Sequence, residues 1–457
     1  MKPLTKLMLS ILFLLALAGG AYWYLFFYGP GNEIPVDTGG TGSTGGFIPL
    51  NPPNDSTPTP TSSAGDPNNN QNGSSSPTTN IVGQEQMPAL RLLSNSPIGG
   101  YGASTTASTT VVRWIDRGRG NVYEAKGDTK EITTLSNTVI PRIYESIWNK
   151  NITAFVGSLL SANTDVPSTV YAKLNAQATT TKQTPATSTS TATSTATTTI
   201  ASPTPTPAPD NQNTTPYFLR GKNLPTNMLA YAVSPKGDRI FMLLNENGQG
   251  AGYTANFDGT SVSKIFIQPL TQVNIEWPEE NTIAITTKAT ASQTGFLYFV
   301  NPKTAVWKKI IGPVYGLSTK VSKDAKYVLA SGTGKDQDIV TSIYTVGTTT
   351  PKDAIVKTLA EKCTWGNYYK ELIYCATPSE SIGATYPDDW YRGTITSSDK
   401  IWQINSKTDE IRLVSSIINQ SDRLINIFNI STDLKDDFLF FMNKDDLSFW
   451  SLDLNAR

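Results

Sequence analysis

The sequence predicts an all-β fold, a β-propeller, in which a four-stranded unit is repeated around a ring. Three polar turns keep nearly the same position in successive copies, at residues 234–238, 277–281 and 322–326. Their first residues are 43 and 45 residues apart, and each turn lies between two short apolar segments. A period of roughly 40 to 45 residues with four short strands is typical of propeller blades. The repeat predicts the fold class but not the function, because propellers carry many unrelated activities.

A second turn recurs later in each copy and supports the same register. It occupies residues 126–129, 257–260, 301–304 and 405–408, all rich in turn-forming Gly, Asn, Asp or Pro. Strands between the turns are rich in Val, Ile, Tyr, Phe and Thr, which favour β-structure.

The two turns together divide the chain into blades. One blade is predicted at 98–135, five full blades between 141 and 414, and a last repeat at 424–454 that has only three strands. We expect residues 89–93 to supply the missing strand, since pairing of the two chain ends would close the ring and protect two sheet edges. The prediction is a seven-bladed β-propeller at 88–457, with six or eight blades as alternatives.

Two low-complexity segments interrupt this plan. Residues 29–87 and 176–216 are poor in bulky apolar residues and rich in Thr, Ser, Pro, Asn and Gly, so both are predicted to be disordered. The first would be a linker with a root-mean-square reach of roughly 40–45 Å. The second is interpreted as an insertion within one blade, either an O-glycosylated tract or an unmodified flexible loop. Residues 377–398 form a further, irregular insertion.

Residues 1–28 are predicted to be a short cytoplasmic stub and a transmembrane signal anchor. The apolar run at 7–28 has 22 residues without a charge, enough to span about 33 Å. Lys2 and Lys6 precede it and acidic residues follow it, so the positive-inside rule places the propeller outside the cytoplasm. The alternative is a signal peptide cleaved after residues 16–18, but the apolar run continues beyond that position.

Composition excludes several classes of mechanism. The chain has no histidine, which Ser-His-Asp and Cys-His catalysis and most zinc sites need. Two cysteines cannot form a four-thiolate zinc site, and no cofactor or metal is predicted. Charged residues make up 16% and the formal net charge is zero, so nucleic acid is not expected as a partner. Catalysis by paired carboxylates remains open.

One turn resembles a known repeat. Residues 234–240 read Ser-Pro-Lys-Gly-Asp-Arg-Ile, which is similar to the S-P-D-G-K-x-I turn of TolB-like, or WD40-like, propellers. Lys236 replaces the usual Asp, and the G-H and W-D dipeptides of true WD40 repeats are absent. The resemblance implies an extracytoplasmic interaction module or a substrate gate attached to a hydrolase domain, and the remaining residues leave no room for such a domain.

Cys363 and Cys375 are predicted to form a disulfide. They are equidistant from a hairpin centre near Tyr369, so they would lie opposite each other in paired strands. A location outside the cytoplasm permits oxidation. The alternative is a pair of buried free thiols.

The predicted binding site is the segment around Trp390. It combines aromatic, acidic and basic side chains in one loop, a mixture that is common in recognition surfaces, and its candidate residues are Tyr386, Asp388, Asp389, Trp390, Tyr391 and Arg392. The alternative is an ordered loop whose aromatic residues cover the core. A second loop, Asp116-Arg117-Gly118-Arg119-Gly120, is either a contact for phosphate or an acidic polymer, or a plain exposed turn.

The anchor, linker and repeat together predict a membrane-anchored, extracytoplasmic interaction module. Its expected partner is a protein or an envelope polymer, and its N-terminal helix would contact the membrane. A carboxylate-based, glycan-active enzyme is the main alternative. A structural component of an envelope complex is the other.

Overall fold

The structure, a computed structural model, describes residues 88–456 apart from 107–108, 161–166, 178–215, 336–337, 349, 355 and 381–384. The predicted membrane span at 7–28 and the linker at 29–87 lie outside the described residues, as does most of the Thr/Ser/Pro tract. Within the described part of the chain, no helix is long and apolar enough to cross a membrane.

Seven antiparallel sheets of four strands each confirm the predicted seven-bladed β-propeller. In chain order the strands are β1 (Leu90–Ser94), β2 (Ile98–Thr105), β3 (Thr110–Asp116), β4 (Val122–Lys126), β5 (Ile132–Ser136), β6 (Ile143–Trp148), β7 (Ala154–Leu159), β8 (Ser168–Ala176), β9 (Tyr217–Asn223), β10 (Met228–Val233), β11 (Arg239–Glu246), β12 (Gln249–Asn256), β13 (Ser263–Gln268), β14 (Val273–Glu279), β15 (Thr282–Thr287), β16 (Thr294–Val300), β17 (Trp307–Tyr315), β18 (Ser318–Val321), β19 (Tyr327–Thr333), β20 (Ile339–Thr345), β21 (Lys352–Asp353), β22 (Cys363–Trp365), β23 (Leu372–Pro378), β24 (Asp399–Asn405), β25 (Ile411–Ser416), β26 (Ile427–Thr432), β27 (Phe438–Asn443) and β28 (Phe449–Asp453).

Blades one to six take successive groups of four strands, from β2 to β25, named a to d in chain order. The a strands of neighbouring blades contact each other, as β2 contacts β6 and β22 contacts β26, so they lie innermost in the ring. The described residues also include two short α-helices, α1 (Asp388–Arg392) and α2 (Ile418–Ser421), and a 3₁₀ turn at Ala360–Lys362.

The seventh blade is closed by both ends of the propeller. Its strand order is β1-β28-β27-β26, with Leu90 opposite Leu452 and Leu92 opposite Trp450. Leu90 and Leu93 are buried, so the closing strand adds apolar contacts to its ladder of hydrogen bonds. The predicted completion of the last blade by residues 89–93 is confirmed.

The recurring a–b turns share one backbone shape. In four copies the N–H of the fourth turn residue donates to the carbonyl of the first, and that fourth residue has a positive φ: Gly237 (77°), Ala325 (54°), Asp436 (60°) and Ile152 (49°). At Gly237 a Cβ would also lie 2.5 Å from the backbone nitrogen of Lys150, so this copy needs glycine for space as well as for conformation.

The turn predicted at 277–281 is shorter in the structure than the sequence suggests, so its predicted bounds are wrong. Strand β14 continues through Trp277 and Pro278 to Glu279, so only Glu280 and Asn281 connect it to β15. Trp277 is buried against the neighbouring strands, and this packing extends the strand beyond the point where its proline suggests a turn.

Alternation of strand direction gives the ring two different faces. All a–b and c–d turns lie at one end of the blades, which we call the turn face, and all b–c and d–a connections lie at the other, the loop face. Apart from the β8–β9 connection, most of which lies outside the described residues, the turns on this face are short, and several are capped by their own side chains. Asn301 Oδ1, for example, accepts hydrogen bonds from the N–H groups of Lys303 (2.9 Å) and Thr304 (3.1 Å). Both α-helices and the 3₁₀ turn lie on the loop face.

The hydrophobic core lies between neighbouring sheets. Ile115, Ile143 and Phe155 join blades one and two, while Ile427 and Phe441 belong to a cluster that joins blades six and seven. Each of these side chains is fully buried, which stabilises the fold by about 1.5–3 kcal/mol per side chain. Blade contacts therefore hold the ring as one body and fix the positions of its loops.

The disulfide lies in the inner hairpin of blade six. Cys363 on β22 and Cys375 on β23 are directly opposite each other and are joined, as the hairpin symmetry predicts. Both residues are fully buried and pack with Trp365 and Ile373.

Removing this disulfide is expected to destabilise the propeller. The variant Cys363→Ala/Cys375→Ala should lose about 3 kcal/mol of unfolding free energy, because a closed loop of roughly 13 residues no longer restricts the unfolded chain. Urea denaturation measures the loss. Reduced wild-type protein, which keeps both sulfur atoms, is the control and should lose a similar amount. A change below about 1 kcal/mol in both samples would contradict the assigned role.

Candidate functional site on the loop face

The segment around Trp390 lies in the b–c connection of blade six, on the loop face. It forms helix α1, which ends at Gly393 in the left-handed conformation (φ 73°). Asp388 Oδ2 accepts a hydrogen bond of 2.7 Å from the N–H of Ala291, in the b–c connection of blade four. The insertion thus reaches past blade five, and its ends are fixed to blades four and six.

Two aromatic residues of the segment are buried. Tyr386 and Trp390 are 3% and 4% exposed and pack against Leu359, which precedes the 3₁₀ turn. Trp390 Nε1 donates a hydrogen bond of 2.8 Å to Asn426 Oδ1. In this conformation their rings are covered, so they hold the loop in place and do not form part of its outer surface.

The other predicted residues lie nearer the surface. Asp389 accepts hydrogen bonds from Thr385 Oγ1 and from Arg392, whose side chain is 63% exposed. Tyr391 is half-buried, and its hydroxyl donates to Glu361. The structure therefore brings all six predicted residues together, in one short helix and in the segment just before it. A binding role for these residues stays a prediction. In this structure Arg392, Asp389 and the edge of Tyr391 are parts of the segment that a partner could reach.

A buried ion pair, which no pattern in the sequence indicates, anchors the insertion. Lys362 Nζ lies 2.7 Å from Asp399 Oδ2, and both side chains are fully buried. The ammonium also donates to Ser397 Oγ (3.1 Å) and Asn426 Oδ1 (3.3 Å), while its charge faces the Trp390 ring at 5.5 Å from the ring centroid. Burial lowers the pKa of Lys362, and Asp399 opposes that shift.

A second carboxylate, which is half-buried, supports the same insertion. Glu361 Oε1 accepts hydrogen bonds from Asn274 Nδ2 (2.9 Å), Ser318 Oγ (3.3 Å) and the Tyr391 hydroxyl. Desolvation raises the pKa of Glu361, and the hydrogen bond from Tyr391 opposes it. With its partners on blades four, five and six, Glu361 joins the inner strands to α1.

One inner strand carries a distinctive carboxyl group. Glu145 lies on β6, the innermost strand of blade two, and acts electrostatically on Tyr231 of the neighbouring β10. Its side chain keeps exposed surface, yet nearby protein atoms remove part of the water around the carboxylate, and this desolvation raises the pKa of Glu145.

The raised pKa predicts a pH-dependent effect of Glu145→Gln. The folded state binds the proton more tightly than the unfolded state, so the wild-type protein is favoured below the unfolded pKa and loses stability as the pH rises through the folded pKa. The variant should melt at a higher temperature than wild type at pH 7.5, and the difference should vanish near pH 4. Thermal melting at both pH values measures this, with Glu410→Gln on the exposed turn face as the control for charge. A lower melting temperature at pH 7.5 would contradict it.

Among the described residues, no group of three His, Cys, Asp or Glu side chains is arranged to hold a metal ion. Glu276, another carboxylate on an inner strand, forms an ion pair with Lys320 at 3.2 Å. Glu361 and Glu276 thus have protein partners.

Comparisons with known proteins find similarity in fold and not in sequence. No protein-family model matches the chain, and no curated protein matches its sequence. TolB from Acinetobacter baumannii is similar with a TM-score of 0.38 and 10% identity, over 74% of this chain and 60% of TolB. An oligogalacturonate lyase from Vibrio parahaemolyticus is similar with a TM-score of 0.49 and 9% identity, over 81% of this chain and 94% of the lyase. The β-propeller domain of the Trilobed protease from Pyrococcus furiosus is similar with a TM-score of 0.37 and 12% identity, over 63% of this chain and 72% of that domain. At these identities the likeness is one of fold.

Proposed function

We propose that the chain is a membrane-anchored interaction module whose propeller lies outside the membrane and binds a protein or an envelope polymer through its loop face. The observation that carries the proposal is the ordered insertion on the loop face. This face carries the insertion with α1, the d–a connection with α2 and the exposed Arg392. The described turns of the turn face are short, apart from the β8–β9 connection, whose residues 178–215 lie outside the described part of the chain.

The described part of the insertion is fixed in shape, which favours binding. Lys362 and Glu361 attach the insertion to the inner strands through buried or half-buried contacts, and Asp388 attaches it to blade four. A surface that is ordered before binding loses less conformational entropy when a partner docks. Binding loops on a rigid scaffold are a common arrangement in recognition proteins.

The placement outside the cytoplasm rests on the sequence and on one structural feature. The apolar run at 7–28 and the positive charges before it support an anchor of that orientation. The disulfide between Cys363 and Cys375 supports an oxidising compartment. The long segment at 29–87 would let the propeller reach partners away from the membrane surface.

A glycan-active enzyme is the second candidate, because Glu145 has the raised pKa that a general acid needs. Such an enzyme would also need a second carboxyl group about 5–9.5 Å away. Release of reducing ends from envelope glycans by wild type, and its loss in Glu145→Gln, would favour this function over binding alone. Co-migration with other envelope components at fixed stoichiometry would instead favour a structural role.

The test of the proposed function is affinity capture from detergent-solubilised envelope. The bait is the full chain, and the control bait is a chain that ends after residue 87 and so keeps the predicted anchor and linker. We expect partners that bind the full chain alone. Recovery of the same partners by the shorter chain would overturn the proposal.

A further inference from the structure

A basic cleft lies on the loop face of blade one, away from the insertion in blade six. It has a volume of about 540 Å³ and is formed by the β3–β4 connection and by Ser96 and Pro97, which join the seventh blade to the first. Arg117 and Arg119 line it together with the ring of Tyr123. This is the Asp116–Gly120 loop that the sequence left as either an anion contact or a plain turn.

The guanidinium groups of this cleft have no acidic partner. Within the described part of the chain, no ion pair involves Arg117, Arg119 or Arg142, whose backbone N–H donates to Gly118 O. Asp116 is the one acidic residue among the described residues that line the cleft; its Oδ1 accepts a hydrogen bond of 2.7 Å from the N–H of Arg119, which holds the carboxylate in the turn, and the two arginines bring the net charge of the lining to +1. Clustered and unpaired arginines form a site that fits carboxylate or phosphate, because the guanidinium group donates two parallel hydrogen bonds.

The cleft also has an aromatic wall. The ring of Tyr123 is stacked on that of Trp114, with centroids 5.8 Å apart and an angle of 19° between the planes. Trp114 is only 2% exposed, so it holds the Tyr123 ring from behind. A fixed aromatic ring beside two cations matches a sugar unit that bears an anionic group, because the apolar face of a sugar packs on an aromatic ring while its charged group meets the arginines.

We propose that this cleft binds an acidic polysaccharide, in which each sugar unit carries a carboxylate or a phosphate. The inference rests on the proposed function and makes it more specific, since it names the polymer class and the residues. Arg117 and Arg119 would hold the anionic group and Tyr123 the sugar ring.

The test is fluorescence anisotropy with the full chain in detergent and four labelled probes: a uronic acid hexasaccharide, a sugar-phosphate polymer of similar length, maltohexaose and hexaglutamate. We expect binding of the uronate or the sugar phosphate, and the stronger of the two identifies the anionic group. Neither maltohexaose nor hexaglutamate should bind as tightly. Equal or tighter binding of maltohexaose or hexaglutamate, or no binding of either acidic sugar, would overturn the inference.

The residues are tested with Arg117→Gln/Arg119→Gln. Neither arginine side chain forms a hydrogen bond with the described residues, so the variant should keep its circular dichroism spectrum and melting temperature. Affinity for the acidic sugar should fall about tenfold to a hundredfold. The matched control, Lys326→Gln/Lys407→Gln, removes two charges from exposed side chains on the turn face and should leave affinity unchanged. An equal loss in both variants would contradict the site.

Envelope capture separates this inference from the proposed function. If the Arg117→Gln/Arg119→Gln chain captures every partner that the wild-type chain captures, and binds acidic sugars with unchanged affinity, the interaction module stands and the cleft proposal fails. Loss of an acidic polysaccharide alone from the captured material supports the cleft.

Discussion

Replacing Lys362 by Met is expected to lower the free energy of unfolding by about 3–5 kcal/mol. The substitution keeps most of the side-chain volume but leaves the fully buried Asp399 carboxylate without its cation. It also removes the donor to Ser397 and the charge over the Trp390 ring. Because these contacts anchor the insertion, α1 should loosen together with the loss of stability, and the total tryptophan fluorescence, to which Trp390 contributes, should change.

The matched control is Lys407→Met, which breaks an exposed ion pair with Glu371 at 3.8 Å and should cost less than about 1 kcal/mol. In the double variant Lys362→Met/Asp399→Asn the unpaired charge is gone, so part of the stability should return. Urea denaturation of the four proteins provides the comparison. If Lys362→Met costs no more than Lys407→Met, the buried pair does not anchor the insertion.

Replacing Leu93 by Asp should destabilise the ring by about 4 kcal/mol or more, through loss of apolar burial and placement of a carboxylate in the core. Leu93 is 4% exposed and packs with Trp114, Phe440 and Phe449 between blades seven and one. Its neighbour Leu92 is 40% exposed on the same closing strand. The substitution Leu92→Asp is therefore the matched control and should change stability by less than about 1 kcal/mol.

This pair of variants tests the closure of the ring. Thermal and urea unfolding should separate Leu93→Asp from Leu92→Asp by several kcal/mol, and the Leu93 variant should aggregate more readily because an unpaired strand edge becomes available. Equal stability of the two variants would show that β1 is not held against the seventh blade in solution.

Much of the fold was predictable because it depends on local signals that recur. The turns are readable from Ser, Asn, Asp, Gly and Pro, and their spacing places the blades. Closure of the ring by residues 89–93 could be predicted by counting strands. The disulfide between Cys363 and Cys375 could be predicted from the symmetry of the hairpin. The turn motif itself was visible in one copy, since Ala325, Asp436 and Ile152 occupy the left-handed position that Gly237 takes elsewhere.

The contacts of the candidate site were less predictable, because they join residues that are distant in sequence. Lys362 and Asp399 are in different strands and loops, and nothing near either residue signals that both are buried. The insertion reaches Ala291 on blade four, a contact across 97 positions of the chain. Composition indicated that the Trp390 segment was unusual, but only the packing of Tyr386 and Trp390 distinguishes covered rings from exposed ones.

The central claim is that the propeller binds its partners through the loop face. The most direct measurement is envelope capture by two full-length variants, each with a bulky residue at an exposed threonine: Thr394→Trp on the loop face and Thr408→Trp on the turn face. We expect Thr394→Trp to lose captured partners and Thr408→Trp to keep them. Loss of partners by Thr408→Trp with full retention by Thr394→Trp would contradict the claim.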